Sequence, residues 1–298
     1  MPVWQPRAEW LSAAVQSALG QRGCDIELIV VDNGNTAPVA RMLAGVQDSR
    51  LRIVRQEHGG VSSARNAGMR VALGDHFRFL DCDDVFDPDS TAHLLSLSDN
   101  DRTIAYGATV YCDAELRPYK VLECSVQGAL GERALTDFTV TLPSLLFPRR
   151  VAELAGGWDE TLTMCEDWDF VLRALEHAQV RGDTRVASYY RRHSTSAVGS
   201  SSIELAETSA ACVVDKYLAR HPEQASSPRV RRLHASRLTS SGTRYLQAHA
   251  RVRAFARYAA AARIDPLFTL GEVSRVLAAE VRLRIGRLTG RNGRDVSA

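Results

Sequence analysis

The sequence predicts an α/β protein, a mixed, mostly parallel sheet flanked by helices and continued by a helical C-terminal extension. Three observations carry this reading. Short apolar runs at Leu28–Val31, Leu51–Val54 and Phe77–Leu80 alternate with segments of helical periodicity, the pattern of βαβ units. Three carboxylates, Asp81, Asp83 and Asp84, follow the Phe77–Leu80 run directly. A buried strand does not tolerate such charges, so it must end there and release them at its C-terminal edge, where open α/β sheets bind ligands. From about residue 203 onward the chain reads helical and is rich in Ala, Leu and Arg.

Taken in order, residues 9–19 repeat apolar side chains at three and four, which predicts a helix. Glu27–Val31 is a buried parallel strand ending in the turn Asp32-Asn33-Gly34-Asn35. A helix near 37–45 and a strand over Leu51–Val54 follow. Gly59-Gly60-Val61-Ser62-Ser63 opens a helix to about Leu73, with Ser62 or Ser63 as its cap, and Gly74 ends it. Beyond Asp84 come a helix near 89–97, a strand over Thr103–Tyr111, loop and edge structure over Pro118–Gly131, and an apolar strand at Ser144–Phe147. Gly156-Gly157-Trp158-Asp159-Glu160 is a turn. Cys165-Glu166-Asp167-Trp168-Asp169 starts a helix to about His177, and a strand near Val186–Tyr190 leads into Arg191-Arg192-His193-Ser194-Thr195-Ser196. The extension breaks near Pro222, Ser226–Pro228 and Pro266.

At 298 residues and 45% hydrophobic, the chain can bury a full core, divided here into a catalytic domain at 1–202 and an extension at 203–298. No apolar run approaches the length of a membrane span, and the N-terminus lacks a signal-peptide pattern. Six cysteines lie scattered with no C-x-x-C pair, which fits a reducing cytoplasm better than a disulfide scaffold or zinc site. A net charge of +2 hides an asymmetry: residues 1–227 carry 22 Lys and Arg against 31 acids, whereas residues 228–298 carry 15 Arg against four. The acidic part suits divalent cations and the basic part an anionic surface.

Asp81 and Asp83 form an Asp-x-Asp pair of hard oxygen ligands suited to Mg²⁺ or Mn²⁺, ions that keep open positions for phosphate oxygens. The competing reading is a polar turn in which Asp84 or Asp87 caps the helix after Pro88. Glu166, Asp167 and Asp169 likewise suit the first turn of any helix, where the dipole favours acids.

The order of these pieces resembles the family 2 glycosyltransferases, which have the GT-A fold. Leu28–Gly34 looks like the family's nucleotide-contacting strand and turn. Gly59–Gly68 carries Ala64-Arg65-Asn66-Ala67-Gly68, similar to its Ala-Arg-Asn-x-Gly signature. Leu80–Asp84 matches its metal motif, and Gly156–Glu160 followed by Glu166-Asp167 matches its acceptor-side block and catalytic base. The resemblance covers roughly residues 1–200. It implies an inverting, metal-dependent transfer of a sugar from a nucleotide-diphosphate donor to a glycan or lipid-linked acceptor. Asp83 would be the direct ligand, with Asp81 on the ribose or the metal side and His193 at a returning metal or phosphate contact. Asp167 would be the base, with Glu166 its nearest rival. Asp32, Asn33, Arg65 and Asn66 would line the donor site, Arg191 and Arg192 would hold diphosphate oxygens, and Trp158 would either stack on a sugar or pack in the core.

Two departures qualify the resemblance. The family opens with an apolar strand of about five residues ahead of a segment like Met1-Pro2-Val3-Trp4, a strand that is nearly absent here. Leu28–Val31 and Phe77–Leu80 are then expected to flank a slot; a start upstream of Met1, or a degenerate copy, would each account for it. The family's second turn acid is Asn33. Val281–Leu288, with Arg282, Arg284 and Arg287 among apolar residues, suits an anionic membrane surface as well as a solvated helix face. It lacks the interleaved aromatics of a nucleic-acid patch, so no nucleic-acid partner is expected. The resulting expectation is a cytoplasmic enzyme, peripheral at the inner membrane face. Its rivals are a truncated copy that binds nucleotide or a partner without turnover, and a nucleotidyltransferase. The latter is disfavoured by the absence of a Gly-rich, Lys-bearing phosphate loop near the N-terminus.

Overall fold

The computed structural model describes residues 1–194 and 202–288. It divides into two compact units, one of residues 1–201 with 209–217, the other of 202–208 with 218–298.

The first unit opens with a parallel sheet, β1 (Pro2–Val3), β2 (Leu28–Asn33) and β3 (Leu51–Gln56), in that spatial order. Every residue of β2 is buried, as expected of a strand covered on both faces. Helix α1 (Ala8–Leu19) lays Leu11, Ala14, Val15 and Ala18 on one face, packed with Leu28, Val30, Leu80 and Phe86. Helix α2 (Val39–Met42) is a single turn rather than the longer helix expected. Helix α3 (Gly60–Val71) covers the other face, with Ala64 and Ala67 against Ile29 and Val31. Its cap is Gly59, not Ser62 or Ser63. Gly60 takes φ +84°, so the helix begins ahead of both serines, and Ser62 is buried inside it.

The second sheet is mixed. It contains β4 (His76–Phe77), β5 (Val85–Phe86), β6 (Thr103–Cys112), β7 (Pro118–Leu122), β8 (Leu145–Pro148) and β9 (Gln179–Arg191). Their order is β4-β8-β6-β9-β5, with β7 on the outer part of β6; β6 and β9 run parallel and the other pairs antiparallel. The expected Phe77–Leu80 strand keeps only its first residue in a ladder, although Phe79 and Leu80 are buried. The reason is on the opposite side: β4 pairs with β8 alone, and between β4 and β2 lies a cavity of about 420 Å³. The slot expected there is thus present below β1. Helix α4 (Ser90–Leu97) has Asp89 at its cap position with no side-chain cap bond, so neither Asp84 nor Asp87 acts as its cap. Helices α5 (Arg149–Leu154) and α6 (Glu166–Leu175) complete the unit with residues 209–217 of a helix spanning Ile203–Arg220. Within that stretch Lys216 pairs with Asp159 and, at 3.2 Å, with the buried Asp169, which also binds Arg173 at 2.7 Å.

The second unit contains the helices Pro228–Gln247, Arg251–Ile264 and Pro266–Leu288. Ser227 caps the first by accepting from the Val230 amide at 3.1 Å. Arg257 chelates Glu207, and Arg253 reaches Glu204 at 2.5 Å. The breaks at Pro222, Ser227–Pro228 and Pro266 fall where expected; one at 248–250, where His249 takes φ +59°, has no proline or glycine to announce it. The side chains of Arg282, Arg284 and Arg287, and residues Thr195 and Ser196, lie outside the described residues. Among the described residues, no helix is long and apolar enough to cross a membrane.

Candidate active site

Two acidic clusters far apart in sequence meet on one guanidinium. Arg65, on α3, donates from Nη2 to Asp81 Oδ1 at 2.9 Å and from Nη1 to Glu166 Oε1 at 3.0 Å. Its side chain is 3% exposed and lies over the Trp158 ring, 4.4 Å from the centroid. Asp81 leaves the end of the β4 segment, and Glu166 starts α6. One cation therefore fixes the spacing between the two clusters, a task for which a planar fork with several donors is suited.

Asp83 and Asp84 extend the first cluster. Asp83 Oδ2 lies 2.9 Å from His193 Nε2, and the imidazole packs against Trp10 with ring centroids 4.6 Å apart. Asp84 accepts from the Arg191 amide at 2.8 Å, but its other oxygen, Oδ2, is buried with no hydrogen-bond partner. Burial, followed by the neighbouring acids, raises the pKa of Asp83 and raises that of Asp84 well above the ordinary range. Negative charge is in excess here. Among the described residues, no three acidic, histidine or cysteine side chains gather closely enough to hold a metal unaided. Asp83 with His193, beside Asp81, still fits a hard divalent ion, because Mg²⁺ is commonly held by one or two carboxylates and completed by phosphate oxygens.

Asp167 is exposed to solvent at the edge of α6, yet protein atoms crowd its carboxylate. That desolvation, with Glu166 beside it, raises its pKa, against a lowering by Arg65. It accepts from the Trp168 amide at 2.7 Å. Cys165 precedes the helix in the left-handed region, φ +62°, so α6 starts abruptly and puts its acids at the N-terminus. A cavity of about 270 Å³ opens beside Asp167, lined by Leu135, Phe138, Leu142, Trp168 and Val171.

Other residues expected at the site are engaged by the chain itself. Asp32 accepts from Asn35 twice, from the Val39 amide and from Arg55, and so folds its own turn. Asn33 accepts from Gln56 and the Gly59 amide and donates to Gly60 O, tying β2 to the start of α3. Both side chains are buried, with both Asp32 oxygens and the Asn33 carbonyl oxygen engaged. Asn66 clamps the Gly156–Trp158 turn, donating to Trp158 O at 2.9 Å and accepting from its amide at 2.8 Å; a Cβ on Gly157, φ +78°, would come within 3.0 Å of the Asn66 Oδ1. Trp158 belongs to the core rather than to a sugar platform, 3% exposed and stacked on Phe170 at 4.3 Å. Arg191 is buried, donating to Asp83 O and Ala114 O and lying over Trp10, whereas Arg192 is exposed.

Two side chains near the Asp81–Asp84 cluster, and two beside the Asn33 turn, gave no signal in the sequence. Trp10 backs His193. Tyr190, one residue before Arg191 on β9, has its pKa pushed up by burial and by Asp84, Asp81 and Asp83. Trp4 and His58 stack at 4.7 Å beside the Asn33 turn, with Trp4 49% exposed and His58 facing Asn33 O at 3.1 Å. An aromatic alternating with polar residues is too common a pattern to single out any of the four.

Comparison with known proteins bears on the family and the fold. The family profile described as Glycosyl transferase family 2 matches residues 1–151. An uncharacterized glycosyltransferase of Rickettsia felis is 29% identical over 201 residues, 63% of this chain and 33% of that protein. The chondroitin synthase of Pasteurella multocida is 27% identical over 172 residues, 57% of this chain and 18% of that one. The chain thus spans about a third or less of the length of these relatives. In structure, S. aureus TarS 1–349 in complex with UDP-GlcNAc superposes with a TM-score of 0.57 at 16% identity, covering 92% of this chain and 90% of that one, which shows a shared fold.

Proposed function

The chain belongs to glycosyl transferase family 2, and we propose that it transfers a sugar from a nucleoside-diphosphate donor to a hydroxyl of a glycan or lipid-linked acceptor, with inversion at the anomeric carbon. The observation that carries this reading is the Arg65 bridge between Asp81 and Glu166. Leaving-group chemistry and acceptor activation must face each other across one sugar, and the bridge holds an acid of each cluster to a single rigid point.

In this reading Asp83 and His193 would hold Mg²⁺ or Mn²⁺, with Asp81 beside them. The ion's contribution when bound is to neutralise charge on the departing diphosphate without proton transfer. Arg192 is exposed where it can reach phosphate oxygens, while Arg191 holds the Asp83–Asp84 backbone in place. Trp4 and His58 offer a ring surface at the Asn33 turn on which a nucleobase can stack. Across the cleft Asp167 takes the proton of the acceptor hydroxyl as it attacks, and a single displacement of this kind requires one base. Its raised pKa brings it closer to working pH. Glu166, held by Arg65, positions rather than reacts. The acceptor enters beside Asp167 along the cavity lined by Phe138 and Trp168. The surplus of arginine in residues 228–298 supports an anionic membrane surface as the place where a lipid-linked acceptor is met.

A screen of nucleoside-diphosphate sugars, scored by release of the free nucleoside diphosphate, tests the proposal. Release that requires Mn²⁺ or Mg²⁺ and is lost in Asp83→Ala is the expected result. Nucleotide binding without release on any donor favours a binding protein without turnover.

A further inference from the structure

One face of β6, β7 and β9 carries a row of three tyrosines. Tyr111 stands opposite Tyr190 in the parallel β6–β9 ladder and opposite Lys120 in the antiparallel β6–β7 ladder, so these side chains share a face. The Tyr111 and Tyr190 rings meet edge to face with centroids 5.4 Å apart, and the Tyr119 ring follows at 6.4 Å from Tyr111. Tyr119 joins them because β7 is bulged there. Cys112 pairs with Pro118 and Tyr111 with Lys120, which leaves Tyr119 as the extra residue. A bulge of this kind re-aims a side chain out of the strand's alternation. The row starts at Tyr190, beside the Asp81–Asp84 cluster, and ends at Tyr119, 60% exposed.

Packing within the fold does not account for the row. Tyr106 donates to Val126 O and Tyr189 to Asp87 in the same sheet, yet the hydroxyls of Tyr111, Tyr119 and Tyr190 have no protein partner among the described residues. An added strand does not account for it either. β7 is an outer strand, but Pro118, Lys120 and the bulge are devices by which a sheet edge refuses a further strand.

Two cations stand on the same face with no acid to answer them. Lys120 Nζ lies 5.9 Å from the Tyr111 ring centroid. Arg192 follows Tyr190 by two residues, its amide continuing the ladder to Cys112 O at 2.8 Å, and its charge acts on both the Tyr111 and Tyr190 hydroxyls. Both cations are exposed, and neither forms an ion pair among the described residues. The acids of the β6–β7 hairpin, Asp113 and Glu115, are taken by Arg117. Aromatic rings suit the apolar faces of sugars, free phenol hydroxyls suit their hydroxyl groups, and Lys and Arg suit anionic oxygens.

We propose that Tyr190, Tyr111 and Tyr119 form a glycan-binding strip, which takes an extended chain of sugars bearing acidic groups, with those groups held by Lys120 and Arg192. Continuity with the Asp81–Asp84 cluster lets the strip keep a chain next to the candidate active site without filling it. The choice of a glycan rests on the transfer proposed above.

The test is calorimetric titration of the full chain, without donor or metal, with hexasaccharides that are neutral or carry carboxylate, sulfate or phosphate groups. At least one acidic hexasaccharide is expected to bind at least about tenfold more tightly than the neutral ones, and the series that binds identifies the acidic group. Tyr119→Ala should weaken that binding at least about fivefold, while Tyr119→Phe, which keeps the ring, should retain most of it. Lys120→Gln should weaken it about threefold and flatten its salt dependence. All three positions of change are exposed, so melting temperatures should stay within about 2 °C of the parent. The proposal is overturned if no acidic hexasaccharide binds, if neutral and acidic ones bind alike, or if Tyr119→Ala binds as the parent does. Release of nucleoside diphosphate from a sugar donor with no glycan present should be the same in Tyr119→Ala and the parent. Failure of the strip therefore leaves the donor chemistry standing, and failure of the donor screen leaves glycan binding readable.

Discussion

Replacing Arg65 by Met removes the cation that joins the two acidic clusters while keeping most of the side chain's length. Glu166, 14% exposed, and Asp81, 36% exposed, are then left facing each other unpaired. Breaking a buried pair by deleting one partner costs 3–5 kcal/mol; the partial exposure of Asp81 places this case at the low end, about 3 kcal/mol. Loss of the cation–π contact with Trp158 adds about 1 kcal/mol, which the burial of the methionine offsets. For a unit of this size about 3 kcal/mol corresponds to a fall in melting temperature of roughly 6–12 °C. Arg65→Lys keeps the charge but cannot span both carboxylates, so about half the loss is expected. Turnover should fall at least about a hundredfold in both, because the clusters lose their mutual spacing. The assay is thermal denaturation by circular dichroism alongside nucleotide-release kinetics. A methionine variant melting within about 2 °C of the parent, or turning over within about threefold of it, refutes the reasoning.

Other outcomes follow from the same geometry. The rate should decline on the acid side as pH falls through the pKa of Asp167, which lies above the ordinary carboxylate range because of burial and Glu166; a pH–rate profile flat down to the ordinary Asp range contradicts this. Lys216→Met leaves the buried Asp169 with Arg173 alone and should lower stability by about 1–2 kcal/mol without altering nucleotide affinity. A denaturation midpoint equal to that of the parent removes the role assigned to that clamp.

Much of the architecture was legible because it is local. An apolar run such as Leu28–Val31 suits a strand buried on both faces of a parallel sheet, and the acids after Leu80 bound the buried Phe77–Leu80 stretch, although its ladder already ends at Phe77. Helix stops at Pro222 and Pro266 are equally local, whereas the break at His249 depends on packing that no single residue announces. The site was legible only in part, for a physical reason: its defining contact joins Arg65 to Glu166, 101 residues apart, and no spacing rule sees that far. Trp158 shows the other difficulty. An aromatic beside a Gly-Gly turn suits a sugar face and a core equally, and the stack on Phe170 decides between them. Asn66 reads as a donor-pocket residue until the Gly157 turn it clamps is visible. The β4 strand is short not through its own composition but because its second edge has no neighbour.

The most direct test of the central claim separates binding from turnover at the two clusters. Affinity for the nucleoside diphosphate released in the donor screen is measured by calorimetry with and without Mn²⁺, in parallel with transfer kinetics, for Asp83→Ala and Asp167→Asn. The account predicts that Asp83→Ala loses the Mn²⁺-dependent part of binding together with turnover. Asp167→Asn should bind nucleotide as tightly as the parent while turnover drops by about 10²–10⁴. Equal loss of nucleotide binding in both variants, or unchanged turnover in Asp167→Asn, contradicts it.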